Sequence, residues 1–187
     1  SRIYIRRVLA QENKYNPKRF AKADTETEKE YYWRKGFNAP TKWDGFVIQN
    51  GRIDLKSATD DGGAGARIYE NVTLENCIIQ KNYSTVTRDN AGTHKPEGRG
   101  GGVYSLGGTL INCYIRENHL GTWEQSYRSD WANKGAMYGG GIFCNYSTLY
   151  NCVIAENEIH GNFADGAGVC MEVGEFYNNT VVKNKAS

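Results

Sequence analysis

Aromatic and charged side chains are concentrated in two stretches of the chain, and their types suit ligand binding. The candidates are Tyr83, Arg88, His94, Trp123, Tyr127, Arg128 and Trp131. Tryptophan and tyrosine rings pack on the apolar C–H faces of sugars, and the flanking charged groups bind the hydroxyl rims. We therefore predict that these residues bind a ligand, either a glycan or another surface protein. The alternative is that Trp123 and Trp131 pack their loop against the rest of the fold.

Carboxylates are the second group of candidates, because a glycosidase needs a pair of them and a lyase needs a base with a cation. The candidates are Asp60, Asp61, Asp89, Glu97, Asp130 and Asp165. They do not recur at one strand position in adjacent repeats. We therefore predict no catalytic residue and expect no enzyme activity. A carbohydrate-active enzyme, either a polysaccharide lyase or a glycoside hydrolase, is the alternative.

Three cysteines, Cys77, Cys113 and Cys152, share one position of a repeated segment. Residues in register on neighbouring strands lie about 4.8 Å apart, which exceeds the roughly 3.8 Å between the Cβ atoms of a disulfide. No Cys-x-x-Cys motif or histidine pair accompanies them, and Asp-rich calcium repeats are absent. We predict buried thiols, no metal and no cofactor, against the alternative of a disulfide or metal stack.

The repeat that positions these residues has a constant core and a variable length. Each copy has a glycine-rich start, a Leu-x-Asn-Cys-like segment and an asparagine five residues after the cysteine position. That position is occupied by Cys77, Cys113, Cys152 and Asn179, at separations of 36, 39 and 27 residues. Constant spacing within the unit and variable spacing between units indicate a coil of constant shape that carries variable loops.

Stacked coils of this kind form a right-handed parallel β-helix, an all-β solenoid, here of about five coils. Three predictions follow from stacking in register, and each concerns one column of residues. The first apolar column is Leu74, Leu110, Leu149 and Phe176. The second is Ile79, Ile115, Ile154 and Val182. The third is a structural ladder of asparagines at a corner, Asn82, Asn118, Asn157 and Asn184. Two other folds are weaker alternatives. A leucine-rich repeat would need the pattern Leu-x-x-Leu-x-Leu, which the sequence lacks. An antiparallel β-sandwich would need hairpin turns, which are nearly absent from the repeats.

The run Gly-Gly-Gly-(Ile/Val)-(Tyr/Phe) followed by Leu-x-Asn-Cys-x-Ile-x-x-Asn resembles the β-helix repeats of secreted Bacteroidetes surface proteins. It is similar, more loosely, to the repeats of chlamydial polymorphic outer-membrane proteins. The resemblance covers residues 43–184 well and 1–42 weakly. It implies an extracellular or cell-surface location and an adhesin-like, carbohydrate-binding or structural role. It does not imply one activity, because this fold carries lyases, hydrolases and adhesins alike.

The organisation along the chain follows from the repeat. Residues 1–42 are predicted to be a strand, at 1–10, followed by an irregular flank with a short helix near 24–33. Coils are predicted for 43–187, with inserted loops at 83–98 and 119–138 that leave at one corner.

The net charge of +2 without a nucleic-acid motif argues against a nucleic-acid partner. Apolar runs are too short for a transmembrane segment. We expect further coils, a cap or a partner subunit to cover the C-terminal end.

Overall fold

The computed structural model describes residues 3–4, 40–55, 62–86, 97–121, 136–161 and 164–187. Every regular element in this part of the chain is a β-strand, and no helix is found there. Within the predicted strand at 1–10, the structure describes Ile3–Tyr4, and these two residues form a strand. The predicted helix near 24–33 lies outside the described residues.

The strands follow one another in five coils. The first coil holds β1 (Ile3–Tyr4), β2 (Thr41–Asp44), β3 (Val47–Gln49) and β4 (Arg52–Leu55). The second holds β5 (Ala66–Tyr69), β6 (Val72–Glu75), β7 (Ile78–Gln80) and β8 (Tyr83–Val86). The third holds β9 (Gly98–Arg99), β10 (Val103–Leu106), β11 (Thr109–Ile111), β12 (Tyr114–Arg116) and β13 (His119–Gly121). The fourth holds β14 (Met137–Tyr138), β15 (Ile142–Asn145), β16 (Ser147–Tyr150), β17 (Val153–Ala155) and β18 (Glu158–His160). The fifth holds β19 (Ala164–Asp165), β20 (Val169–Met171), β21 (Gly174–Tyr177), β22 (Thr180–Val182) and β23 (Lys185–Ala186).

Each strand pairs in parallel with the strand at the same place in the neighbouring coil. Sheet A is β1-β5-β10-β15-β20, sheet B is β2-β6-β11-β16-β21, and sheet C is β3-β7-β12-β17-β22. Sheet D is β4-β8-β13-β18-β23, and sheet E is β9-β14-β19. Parallel stacking of equivalent strands is consistent with the solenoid predicted from the repeat. A full coil has five short strands, and the glycine-rich start and the Leu-x-Asn-Cys-like segment of the repeat account for three of them, which are β10, β11 and β12 in the third coil.

The two extra strands shorten the predicted insertions at both ends. Residues 83–86 and 119–121 continue the coil as β8 and β13, and Gly98–Arg99 and Met137–Tyr138 return to it as β9 and β14. The predicted boundaries at 83–98 and 119–138 therefore need correction. Strands of two to four residues beside variable loops carry too little periodicity to be recognised from sequence.

The first apolar column is in register as predicted. Leu110 pairs with Leu74 and Leu149, and Leu149 pairs with Phe176. Trp43 extends the column into the first coil. Leu149 is fully buried, whereas Phe176 is 40% exposed. Phe176 belongs to β21, the last strand of its sheet, so its side chain has a neighbouring coil on one side only.

The prediction for the second apolar column is wrong at its last member, because Ile154 pairs with Val181 and not with Val182. Val182 pairs with Ala155, one position further along the strand. A shift of one residue moves a side chain to the other face of a strand. Ile48, Ile79, Ile115 and Ile154 are buried and fill the inward positions of this column.

The asparagine ladder lies inside the solenoid at the corner between sheets C and D. Asn82 Nδ2 donates to Asn118 Oδ1 at 2.9 Å, and Asn118 Nδ2 donates to Asn157 Oδ1 at 3.0 Å. Asn157 Nδ2 donates to Asn184 Oδ1 at 2.9 Å. A glycine sits against each ladder side chain. A Cβ atom on Gly102 would lie 2.6 Å from Asn118 Cγ, so the glycine run leaves room for the ladder.

A second ladder, on the outside, marks the corner between sheets B and C. Asn151 Nδ2 donates to Asn112 Oδ1 at 2.7 Å, and Asn112 Nδ2 donates to Asn76 Oδ1 at 3.3 Å. All three have φ between 51° and 54°. Asparagine tolerates this left-handed conformation better than most residues, which explains why it precedes the cysteine position in the second to fifth coils, while Gly45, with a φ of 73°, takes this place in the first.

The stacked cysteines are free buried thiols, as predicted. Cys77, Cys113 and Cys152 form no disulfide and belong to the apolar core. Each thiol lies near the carbonyl oxygen two residues earlier, at 3.1 to 3.4 Å. Asn179 continues the column, and its Oδ1 accepts a hydrogen bond from the Cys152 backbone N–H at 2.7 Å.

Candidate functional site

From the second coil onward, the variable loops leave the solenoid between sheets D and E. In the first coil, a long segment, 5–40, lies instead between β1 of sheet A and β2 of sheet B. Along the chain, Gly98 follows Tyr83 by 15 positions, Met137 follows His119 by 18, and Ala164 follows Glu158 by 6. The strands on both sides of these gaps are paired between coils, so the exits lie next to one another. We call this side of the solenoid the loop edge. The sequence predicted such a shared corner from the repeat.

One of the seven predicted ligand-binding residues lies in the described part of the chain. Tyr83 is the first residue of β8 at the loop edge, and its ring lies 5.2 Å from the Arg52 guanidinium and 6.0 Å from the His119 ring. Tyr83 thus belongs to a strand and not to a loop. Arg88, His94, Trp123, Tyr127, Arg128 and Trp131 lie outside the described residues.

An arginine–aromatic corner forms where sheet E meets sheet A, beside the loop edge. It consists of Arg67, Arg99, Tyr104, Tyr138 and Phe143. The glycines that join these sheets have φ near +70° and turn the chain sharply, which brings the outward side chains of both sheets together.

The rings and guanidiniums of this corner are in direct contact. Tyr104 stacks on Phe143 with ring centroids 5.5 Å apart and planes at 10°. Arg67 lies 4.8 Å from the Tyr104 ring, and Arg99 lies 5.4 Å from Phe143 and 5.8 Å from Tyr138. Tyr104 and Phe143 are buried, whereas Arg99 and Tyr138 are half-buried. The accessible part of the corner is therefore a tyrosine beside an arginine.

Two of the six candidate carboxylates stand at the same corner. Arg99 is paired with Glu97 at 2.7 Å, and Tyr138 is in register with Asp165. Burial, reinforced by the charge of Glu97, raises the pKa of Tyr138 above its ordinary value. Tyr138 therefore stays protonated at neutral pH and can donate a hydrogen bond. Asp60, Asp61, Asp89 and Asp130 lie outside the described residues.

On the other side of the loop edge, sheet D brings two histidines and a carboxylate together. His119 pairs with Glu158 across β13 and β18, and His160 follows two positions later on the same face. The distance from Glu158 Oε2 to His160 Nε2 is 3.3 Å, and that to His119 Nδ1 is 4.0 Å. The two imidazole rings are 4.8 Å apart. Among the described residues this is the group that can hold a metal ion.

Burial determines the protonation state of His119, and a hydrogen bond orients the ring of His160. His119 is 3% exposed, and burial, with a further contribution from His160, lowers its pKa to about 4. It is neutral at pH 7, which is the form that binds metals. The Nδ1 atom of His160 is hydrogen-bonded to the Ser187 hydroxyl. This bond leaves His160 Nε2 facing Glu158.

Sequence reasoning placed the segments that begin at Tyr83, His119 and Glu158 at one corner, but named neither Glu158 nor His160 as a candidate site residue. A signal for them existed. Glu158 follows His119 by 39 residues, the same separation as between the ladder residues Asn118 and Asn157. Counting from the ladder would have placed the three side chains on adjacent strands.

No protein-family model matches the chain, and searches among curated proteins and among solved structures find no match either. In the part of the chain that the structure describes, there is no helix of the length and apolar character needed to cross a membrane. The function must therefore be argued from the geometry of the loop edge and its two flanks.

Proposed function

We propose that the chain is a right-handed parallel β-helix that acts as a non-catalytic binding module of a bacterial cell-surface or secreted protein. Its loop edge would hold a glycan, in the manner of an adhesin. The observation that carries the proposal is the half-buried pair Arg99 and Tyr138, which stands beside the exits of the loops that contain the predicted binding residues. The bacterial surface location is proposed from the resemblance of the repeat.

The chemistry of the corner suits a sugar. A tyrosine ring offers a flat apolar face, and its protonated hydroxyl and the adjacent guanidinium offer hydrogen-bond donors to ring hydroxyls. The stacked pair Tyr104 and Phe143 beneath them is buried and supports this surface. Because the support is made by paired strands, the donors are held in place before a ligand arrives, which lowers the entropic cost of binding.

A carbohydrate-active enzyme is the second candidate, and the observation that favours it is the presence of Glu97 and Asp165 at this corner. Against it, Glu97 is paired with Arg99, and the raised pKa of Tyr138 disfavours its use as a base near neutral pH. Binding without turnover is therefore the function that the geometry supports best.

A glycan array paired with an assay for reducing ends and unsaturated products tests the proposal. We expect binding to at least one class of glycan without product formation. The variant Tyr138→Ala should weaken binding at least tenfold, as should Trp123→Ala or Trp131→Ala. The matched control is Tyr114→Ala on sheet C, where the Arg116 guanidinium lies 5.0 Å from the tyrosine ring but away from the loop edge.

Two outcomes would contradict the proposal. Product formation that Glu97→Gln or Asp165→Asn abolishes would establish the enzyme instead. Equal loss of affinity in Tyr114→Ala and Tyr138→Ala, with both variants folded by circular dichroism, would show that the loop edge is not where the glycan binds.

A further inference from the structure

We propose that His119, Glu158 and His160 form a binding site for a first-row divalent transition-metal ion, with Zn²⁺ as its simplest occupant. The site joins two successive coils at the loop edge. It does not depend on the proposed glycan binding, because its evidence lies on sheet D and not at the arginine–aromatic corner.

The donor set is that of a metal site with an open position. Two imidazole nitrogens and one carboxylate oxygen are protein ligands of zinc in sites that keep a fourth position for water. In a tetrahedral site with bonds of about 2.0–2.1 Å, ligand atoms lie roughly 3.3 Å apart. His160 Nε2 and Glu158 Oε2 already have this separation, at 3.3 Å. The three ligand atoms lie within 4.8 Å of one another, so small side-chain rotations would complete the site.

The ligands are held in place by the fold. His119 and Glu158 are register partners on hydrogen-bonded strands, and His160 lies two positions beyond Glu158 on one face of β18. The Ser187 hydroxyl binds Nδ1 of His160, and such a bond to the far nitrogen is what orients metal-binding imidazoles. Ser187 is fixed in turn, since its backbone N–H donates to Ile159 O at 3.0 Å.

The ligand types favour some metal ions over others. Two imidazoles favour Zn²⁺, Co²⁺, Ni²⁺ or Cu²⁺ over Ca²⁺ and Mg²⁺, which prefer oxygen ligands only. No cysteine belongs to the group. A bound ion would link β13 to β18, close to Gly121, the last described residue before the loop that follows β13.

Titration of the tag-free chain with Zn²⁺ by calorimetry, after treatment with a chelator, tests this site. We expect one ion per chain with a dissociation constant in the low micromolar range or below. His160→Gln and Glu158→Gln should each weaken binding at least tenfold. Both residues are partly exposed, so these variants should fold. The matched control is Glu156→Gln, because Glu156 is an exposed carboxylate two positions before Glu158 that faces Lys183 at 3.9 Å.

Substitution of Co²⁺ for Zn²⁺ gives a second readout, because the visible spectrum reports the coordination number and the ligand types. We expect a four- or five-coordinate spectrum without thiolate charge-transfer bands. The proposal is overturned by the absence of binding at 1 mM Zn²⁺, by equal affinity in the wild type and both ligand variants, or by thiolate bands that assign the ion to the cysteines.

Discussion

Replacing Asn118 by alanine removes a central member of the inner ladder and should destabilise the protein strongly. Its Nδ2 atom donates to Ile79 O at 2.9 Å and to Asn157 Oδ1 at 3.0 Å. Its Oδ1 atom accepts from the backbone N–H and from Nδ2 of Asn82, at 3.1 and 2.9 Å. All four bonds lie in the interior, where water cannot replace the lost side chain.

The magnitude follows from these bonds. A buried hydrogen bond contributes about 1 kcal/mol net, so the loss of four bonds costs about 4 kcal/mol in the free energy of unfolding. The matched control is Asn112→Ala in the outer ladder, which loses two exposed bonds, at 2.7 and 3.3 Å. Its cost should be about 1 kcal/mol, including the strain of alanine at a φ of 51°.

Urea denaturation followed by circular dichroism and by tryptophan fluorescence measures both variants. The two probes should give one transition for each variant, with the midpoint of Asn118→Ala well below that of Asn112→Ala. Equal destabilisation of the two variants would refute the reasoning, because it would mean that burial of the ladder does not determine its contribution.

Three further predictions use the same measurement. Gly102→Ala should unfold the protein or cost several kcal/mol of stability, because the new Cβ atom would lie 2.6 Å from a ladder side chain. Gly45→Ala is the control: its Cβ atom would have no atom within 4 Å, so it should cost only about 1 kcal/mol, for the strain of alanine at a φ of +73°. Leu110→Ala should cost about 2–5 kcal/mol and Phe176→Ala clearly less, because only the first is fully buried. In the presence of chelator, stability should also depend on pH through His119, whose pKa is about 4 in the folded protein and 6.5 in the unfolded chain. The stabilisation that comes from burying the neutral ring is complete above pH 6.5 and is lost as the pH falls towards 4. That loss should amount to about 3 kcal/mol, and His119→Gln should remove it.

The repeat predicted those parts of the fold that are identical in every coil. Leu110 and Leu149 are register partners, and Asn118 binds Asn157, because the spacing from the cysteine position to the asparagine never changes. The strands of sheets D and E were missed because they flank segments of variable length. The error at Val182 has a simple cause. Val181 and Val182 are both apolar, so hydrophobicity alone could not decide which of them faces the interior.

The candidate site was harder to predict, because its members come from different coils. The sequence identified Tyr83 as a residue of the loop edge, but Arg99 and Tyr138 carry no motif of their own. They meet because β14 pairs in register with β9, and left-handed glycines turn sheet E towards sheet A, where Tyr104 and Phe143 lie. Likewise the expectation of no metal site depended on the lack of a histidine pair in the linear sequence. His119 and His160 become neighbours through the stacking of β13 on β18.

From the second coil onward, length differences are confined to one side of the solenoid, which has a consequence for how such a protein can change. Insertions or deletions at the loop edge leave the ladders, the apolar columns and the strand pairing untouched, so new peptides could be grafted there without a new framework. Elsewhere in these coils the strands follow one another at constant spacing, and a residue inserted within a strand would shift the register of the residues that follow in it.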